Sequence, residues 1–262
     1  MRSWATSQQA LREGVGGGLC RTAPFELRAR REPGERTTTV DNEHAAAYGP
    51  SCADCGSGGC ADGSGAYPPF CATAALAAED RAALLEQYRD EEVYRIMAAA
   101  SDTARLAFDE HWCRVEETME YARRTGARKL GIAVCSGLLG EGRTLARILR
   151  ANGFDVYGMA CKVGSLTRAE LGVADSCCDY GAVSCDPLLQ ARLLNEAGTD
   201  LNIVMGLCVG HDILFAQRSA APCTTLVVKD RALVHNPVAA LHAACGPSPY
   251  NRMLKQHPAW RA

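Results

Sequence analysis

The apolar positions of this chain change period near residue 128. Between residues 74 and 126 they recur every three or four positions, at Leu84, Leu85 and Tyr88 and then at Val93, Ile96 and Met97. That spacing lines one side of a helix. A second helix is expected from Trp112 to Arg124, turning Val115, Met119 and Ala122 inward and stopping at Gly126. From Arg128 onward, short continuous apolar runs alternate with helical patterns. Lys129–Val134, Phe154–Ala160, Leu201–Leu207 and Thr224–Lys229 read as buried strands. Glu141–Asn152, Pro187–Ala197 and Gly210–Arg218 read as the helices between them, with Pro187 in a first turn and Gly198 just past an end. Strands without polar alternation, joined by helices, are buried on both sides. The expected class is α/β: an open parallel sheet of about four strands with helices on both faces, Rossmann-like. A helical segment and a Cys-rich segment precede it.

The remaining stretches carry neither period. Residues 1–45 are rich in Arg, Gly and Thr, and are expected to be disordered or a non-native extension, with translation starting near Val40. Residues 46–72 form a Cys/Gly/Pro knot that has few core formers and needs ligation or docking to hold it. Residues 73–245 hold the helical lead-in and the α/β domain, and 246–262 form a loose, proline-bearing tail.

Composition adds one large fact. The chain has 262 residues, of which 14 are Cys. With no apolar export signal among the first 30 residues, reduced or ligated thiols in a cytoplasmic protein are expected rather than disulfides. Net charge is −2, which gives no broad attraction to nucleic acid or to an anionic membrane. The longest apolar stretch, around LNIVMGLCVG, is far short of the ~20 residues of a membrane span.

Four of the cysteines mark strand ends. Cys135 follows GIAV, Cys161 follows VYGMA, Cys208 follows NIVMGL, and Cys185 precedes a helix that returns to the sheet from the same edge. Ligand sites in open α/β sheets lie beyond the carboxyl ends of the strands. Helix N-termini there stabilise thiolate, the form that binds metal or attacks an electrophile. The set suits a zinc ion or an iron–sulfur cluster. It equally suits a Cys208 nucleophile with His211 three residues on, and Lys162 or Lys229 as anchor for a small anionic ligand. The bland alternative is that cysteine is simply small enough for crowded strand ends. Cys20, Cys113, Cys177, Cys178, Cys223 and Cys245 read as bystanders. Asp200 and Asn202 fall at the opposite edge as turn or cap residues, and the glycines of SGLLGEG form no nucleotide fingerprint.

A second group, Cys52, Cys55, Cys60 and Cys71, has the spacing C-x2-C-x4-C-x10-C, with Gly56, Gly58 and Gly59 letting the chain wrap. Two thiolates of a C-x-x-C turn bind one metal and two more complete four ligands. A disordered tail, a redox pair and a disulfide are the competing readings.

Both cysteine groups, with EAGTDLNIVMGLCVGHD, APCTTLVVKDR and HNPVAAL, resemble the domain of unknown function eighteen-forty-seven over about Cys52 to Leu241. The resemblance implies a metal-binding protein of anaerobic bacteria and archaea, with the four early cysteines as ligands. It supplies no activity. The expected function is a metal-binding protein, zinc or iron–sulfur, with a second thiolate site that is open to a redox partner. A cysteine-nucleophile enzyme and a non-catalytic metal-handling module are the alternatives.

Overall fold

A computed structural model describes residues 49–173 and 181–254. The expectations for residues 1–45, and for Cys20, Cys177 and Cys178, fall outside them. The chain divides into two compact units, one up to Ala75 and one from Leu76.

The first unit is built from turns. A 3-10 helix, Cys52–Asp54, starts at Ser51, whose hydroxyl accepts from Ala53 N while the Asp54 carboxylate accepts from Ser51 N. Two single-turn helices follow, α1 (Gly59–Asp62) and α2 (Ala72–Ala75). Gly59 is buried, and a Cβ there would lie 2.6 Å from the Ala66 carbonyl oxygen, so only glycine fits that close approach.

The second unit opens with three helices, α3 (Ala78–Gln87), α4 (Glu91–Glu110) and α5 (Arg114–Thr125). Asp90 caps α4 through the N–H groups of Glu92 and Val93, and Gly126 ends α5 in the left-handed region, as the sequence indicates. Met119 and Ala122 are buried and Val115 packs against the same core. By contrast Leu84, Leu85, Tyr88, Val93, Ile96 and Met97 are exposed, because on α4 the buried positions are Ala99 and Thr103, a turn further on.

The sheet follows: β1 (Lys129–Val134), α6 (Leu139–Ala151), β2 (Asp155–Ala160), α7 (Pro187–Glu196), β3 (Leu201–Met205), α8 (His211–Arg218), β4 (Cys223–Val227) and α9 (Val238–Ala244). All four strands are parallel, in the order β2-β1-β3-β4, with helices flanking the sheet. The four strands and α6, α7 and α8 each lie within a few residues of their expected places. The inner strands β1 and β3 are buried almost throughout, while β2 and β4 at the edges are partly exposed. Leu130, Ile132, Ile203, Leu149, Leu194 and Phe215 form the driest part of the core. Each such side chain contributes roughly 1.5–3 kcal/mol through burial.

The opposite, N-terminal edge is held by Asp200. Its carboxylate accepts from Arg128 N and Lys129 N, both at 2.8 Å, and these two N–H groups hold its pKa below the usual carboxylate value. Asn202, expected there as a turn or cap residue, sits instead inside β3, fully buried, between Thr199 and Ser219. Within the stretch expected to be loose, Pro249–Leu254 is a 3-10 helix packed on α9. No described helix is long and apolar enough to cross a membrane.

Candidate functional site

The connection from β1 goes outward to β2, and the chain then returns past β1 to β3. This places a topological switch point between β1 and β3, where their carboxyl ends diverge. Cys135 is the first residue after β1, Cys161 the first after β2, and Cys208 the third after β3. Backbone ladders lock the first two in place: Cys135 N donates to Met205 O at 3.0 Å, and Cys161 N to Val134 O at 2.8 Å. Cys185 arrives from the other side. Asp186 N donates to Cys161 O at 2.7 Å, which ties the entry to α7 against the end of β2.

These connections bring the thiols together. The sulfurs of Cys185 and Cys161 are 3.5 Å apart and share a hydrogen bond. Cys161 Sγ also accepts from Ser136 N at 3.2 Å, and Cys135 Sγ from Gly137 N at 3.4 Å and Lys229 Nζ at 3.0 Å. Cys208 Sγ accepts from an Arg231 guanidinium N–H at 3.2 Å. Cys161 and Cys135 are buried; Cys185 and Cys208 are half-buried.

The environment separates the thiols chemically. The hydrogen bond from Cys161 pulls the Cys185 pKa down to about 7, against burial and the charges of Cys208 and Cys135, and the Lys162 charge helps. Cys135 is pushed up to about 12, chiefly because its proton is held in the hydrogen bond with Cys161, and next by burial. Near neutral pH Cys185 is therefore partly ionised, while Cys135 stays protonated.

The loop after β4 supplies both cations from one rigid turn. The Asp230 carboxylate accepts from Ala232 N and Leu233 N, Asp230 N donates to His235 Nδ1, and His235 N donates to Asp230 O. Val234 and His235 close this turn with φ of 51° and 63°. A β-branched residue is strained in that region, and such strain collects at functional sites. Lys229 and Arg231 flank Asp230 and both end on sulfur.

The other expected residues divide. Lys162 is half-buried beside the pair. His211 begins α8, and its backbone N–H donates to Cys208 O at 2.9 Å, but among the described residues its side chain bonds neither the thiol nor any other group, and its Nδ1 is buried. Lys229 ends on Cys135. Arg231 and Gln190 have roles the sequence reading does not give them. Gln190 is fully buried in α7, and its amide donates to Met159 O at 2.8 Å and Val134 O at 3.4 Å, bracing the strand ends that carry Cys161 and Cys135. A glutamine among Leu188, Leu189, Ala191 and Leu194 is the signal that could have revealed it. Nothing in KDR tells which way Arg231 points.

In the first unit, Cys55 and Cys71 are close enough for their charges to interact. Cys55 is held below the usual thiol range by Ser57 and nearby N–H groups, and Cys71 by the N–H of Ala74 in the first turn of α2. Cys52 and Cys60 are exposed on their own turns. Among the described residues no three His, Cys, Asp or Glu side chains are grouped closely enough to hold a metal ion, and the eleven described cysteines are all unbridged.

Comparison with known proteins gives a family. A family model described as protein of unknown function (DUF1847) matches residues 71–226. An uncharacterised protein of Methanocaldococcus jannaschii is 40% identical over 159 residues, which is 61% of this chain and 81% of that protein. The matched span contains Cys71 and all four sheet-edge thiols, and stops short of Lys229 and Arg231.

Proposed function

This chain belongs to the family of unknown function DUF1847, and we propose that it carries a redox-active dithiol at the carboxyl edge of its sheet, with Cys185 as the attacking thiol and Cys161 as its partner. One observation carries the reading: a half-buried sulfur ionising near pH 7 lies 3.5 Å from a buried sulfur. A pKa near ambient pH is the optimum for an attacking thiol.

The chemistry follows from that asymmetry. The Cys185 thiolate attacks one sulfur of a disulfide and expels the other as a thiolate, forming a mixed disulfide. The proton on Cys161 passes to the departing thiolate. The Cys161 thiolate then attacks Cys185 Sγ and releases the second sulfur, which takes a proton from solvent. The substrate disulfide gains two electrons and two protons, and Cys161 and Cys185 become a disulfide. Closing 3.5 Å to a bond of ~2.05 Å needs a shift of about 1.5 Å, within reach of the loop that holds Cys185.

Exposure to a neutral reagent, hydroxyethyl disulfide, followed by peptide mapping tests this. The expected product is a Cys161–Cys185 cross-linked peptide, lost in Cys185→Ser. Cross-links only among other cysteines, or none, would overturn the reading.

Metal binding is the second reading, and it fits the first unit better than the sheet edge. Ligands bind metal as thiolates. Cys135 holds its proton up to about 12, whereas Cys55 and Cys71 are both pulled toward thiolate and lie near each other. Cys52 and Cys60, exposed on their own turns, would have to swing in to complete four ligands for zinc or an iron–sulfur cluster. A metal held there supplies folding energy to a unit with little core of its own.

A further inference from the structure

Three cations surround the sheet-edge thiols. Lys229 ends on Cys135, Arg231 ends on Cys208, and Lys162 follows Cys161 directly and lies near Cys185. Lys162 and Lys229 form no ion pair with a carboxylate among the described residues. Most of the described carboxylates of this edge lie in backbone caps and turns. Asp186 accepts from Leu189 N to cap α7, Asp212 accepts from Gly210 N and Ile213 N, and Asp230 is bound into its own turn. Glu141 is the exception, exposed in the first turn of α6. The N-termini of α7 and α8 add partial positive charge at the same edge, α7 two residues after Cys185. Lys162 and Lys229, with no ion pair to a described carboxylate, and these two helix N-termini are therefore among the positive groups nearest the thiols.

We infer that the dithiol takes a small anionic disulfide, one bearing carboxylate or phosphate groups beside the sulfurs, with Lys162 and Lys229 receiving its charge. The inference rests on the dithiol reading and specifies its substrate class. The anionic group docks against the lysines, the nearer sulfur meets the Cys185 thiolate, and exchange proceeds as above: one disulfide is reduced to two thiols while Cys161 and Cys185 are oxidised to a disulfide. The positive surround also stabilises the negative charge spread over three sulfurs during transfer. A cationic disulfide meets the same field as repulsion.

Two alkylating reagents separate substrate charge from thiol reactivity. Iodoacetamide is neutral and iodoacetate anionic, and both give a stable product at sulfur. The rate of each at Cys185 is followed by peptide mapping on the full chain at about pH 9, where the thiol is ionised, and is compared with a small free thiol. The expected result is fast labelling by iodoacetamide and an iodoacetate-to-iodoacetamide ratio about fivefold above that of the free thiol. That is the effect of one unit charge at 4 Å in water. Lys162→Ala is expected to bring the ratio most of the way back, and Lys162→Arg to keep it. Fast iodoacetamide labelling with an unshifted ratio overturns the anionic substrate and leaves the dithiol standing. A Cys185 that labels no faster than the free thiol with either reagent at neutral pH overturns the dithiol, and this inference with it.

Discussion

Cys161 is 2% exposed, so no substrate reaches it first, yet it sets the reactivity of its neighbour. Its hydrogen bond is the largest of the influences that lower Cys185. The rate of Cys185 alkylation should therefore rise with pH through a midpoint near 7 and level off above it, since only the thiolate reacts. Cys161→Ala removes that hydrogen bond while burial and the like charges remain, so the midpoint is expected to move up toward the ordinary thiol range of ~8.5. A pH–rate profile of the two proteins checks this; an unmoved midpoint would show that Lys162 and helix α7 set the value instead. The same shift has a sign in folding. Ionised Cys185 favours the folded chain above the unfolded thiol pKa, and that advantage fades as pH falls through about 7.

At the scale of elements, the site depends on how tightly β3 turns away from its neighbours. Gly206 directly follows β3 with φ of 63°, and its N–H donates to Val227 O at 2.7 Å. A Cβ there would lie 2.4 Å from Leu138 Cδ1 and 3.9 Å from Lys229 Nζ. Leu138 is buried and has little room to yield. Gly206→Ala combines a left-handed conformation with overpacking and is expected to cost about 2–4 kcal/mol. Gly198→Ala is the control: its φ is 64° and nothing lies within 4 Å of the added carbon, so it is expected to cost only about 1–2 kcal/mol. Denaturant midpoints measure both. Cys185 labelling of the folded Gly206 variant should also slow, because the clash displaces the Leu138 turn beside Cys135 and Ser136.

For the whole molecule, two groups of cysteines are assigned two chemistries, and serine variants separate them. Replacing Cys52, Cys55, Cys60 and Cys71 is expected to remove metal from protein purified without oxygen while leaving Cys185 labelling intact. Replacing Cys135, Cys161, Cys185 and Cys208 is expected to abolish the fast thiol and retain the metal. Metal and acid-labile sulfide per chain are the readouts; metal lost with the second set alone would make the sheet edge the metal centre. Much of this architecture was legible in the sequence. Apolar runs such as Lys129–Val134 and Leu201–Leu207 read as strands buried on both sides, and strand ends in a parallel sheet share an edge, so Cys135, Cys161, Cys185 and Cys208 were expected along one edge, but the strand order that decides which of them touch was not legible. What was hidden depends on side-chain direction. His211 is three residues from Cys208, yet the thiol bonds Arg231 instead. Asn202 has the composition of a turn residue and lies in the core, because Thr199 and Ser219 satisfy its amide there.

The bond between Lys229 and Cys135 spans 94 residues of chain. Contacts of such separation form late, since closing long loops costs entropy before they are rewarded. While the chain is being synthesised, β1 and β2 leave the ribosome well before the turn that carries Lys229 and Arg231. Until that turn arrives, Cys135 lacks Lys229 and Cys208 lacks Arg231, so the site's positive groups are incomplete. A growing polypeptide this rich in cysteine is exposed to scrambled cross-links throughout its synthesis. Carrying Lys229 and Arg231 beyond the last strand withholds the complete site until that strand has docked.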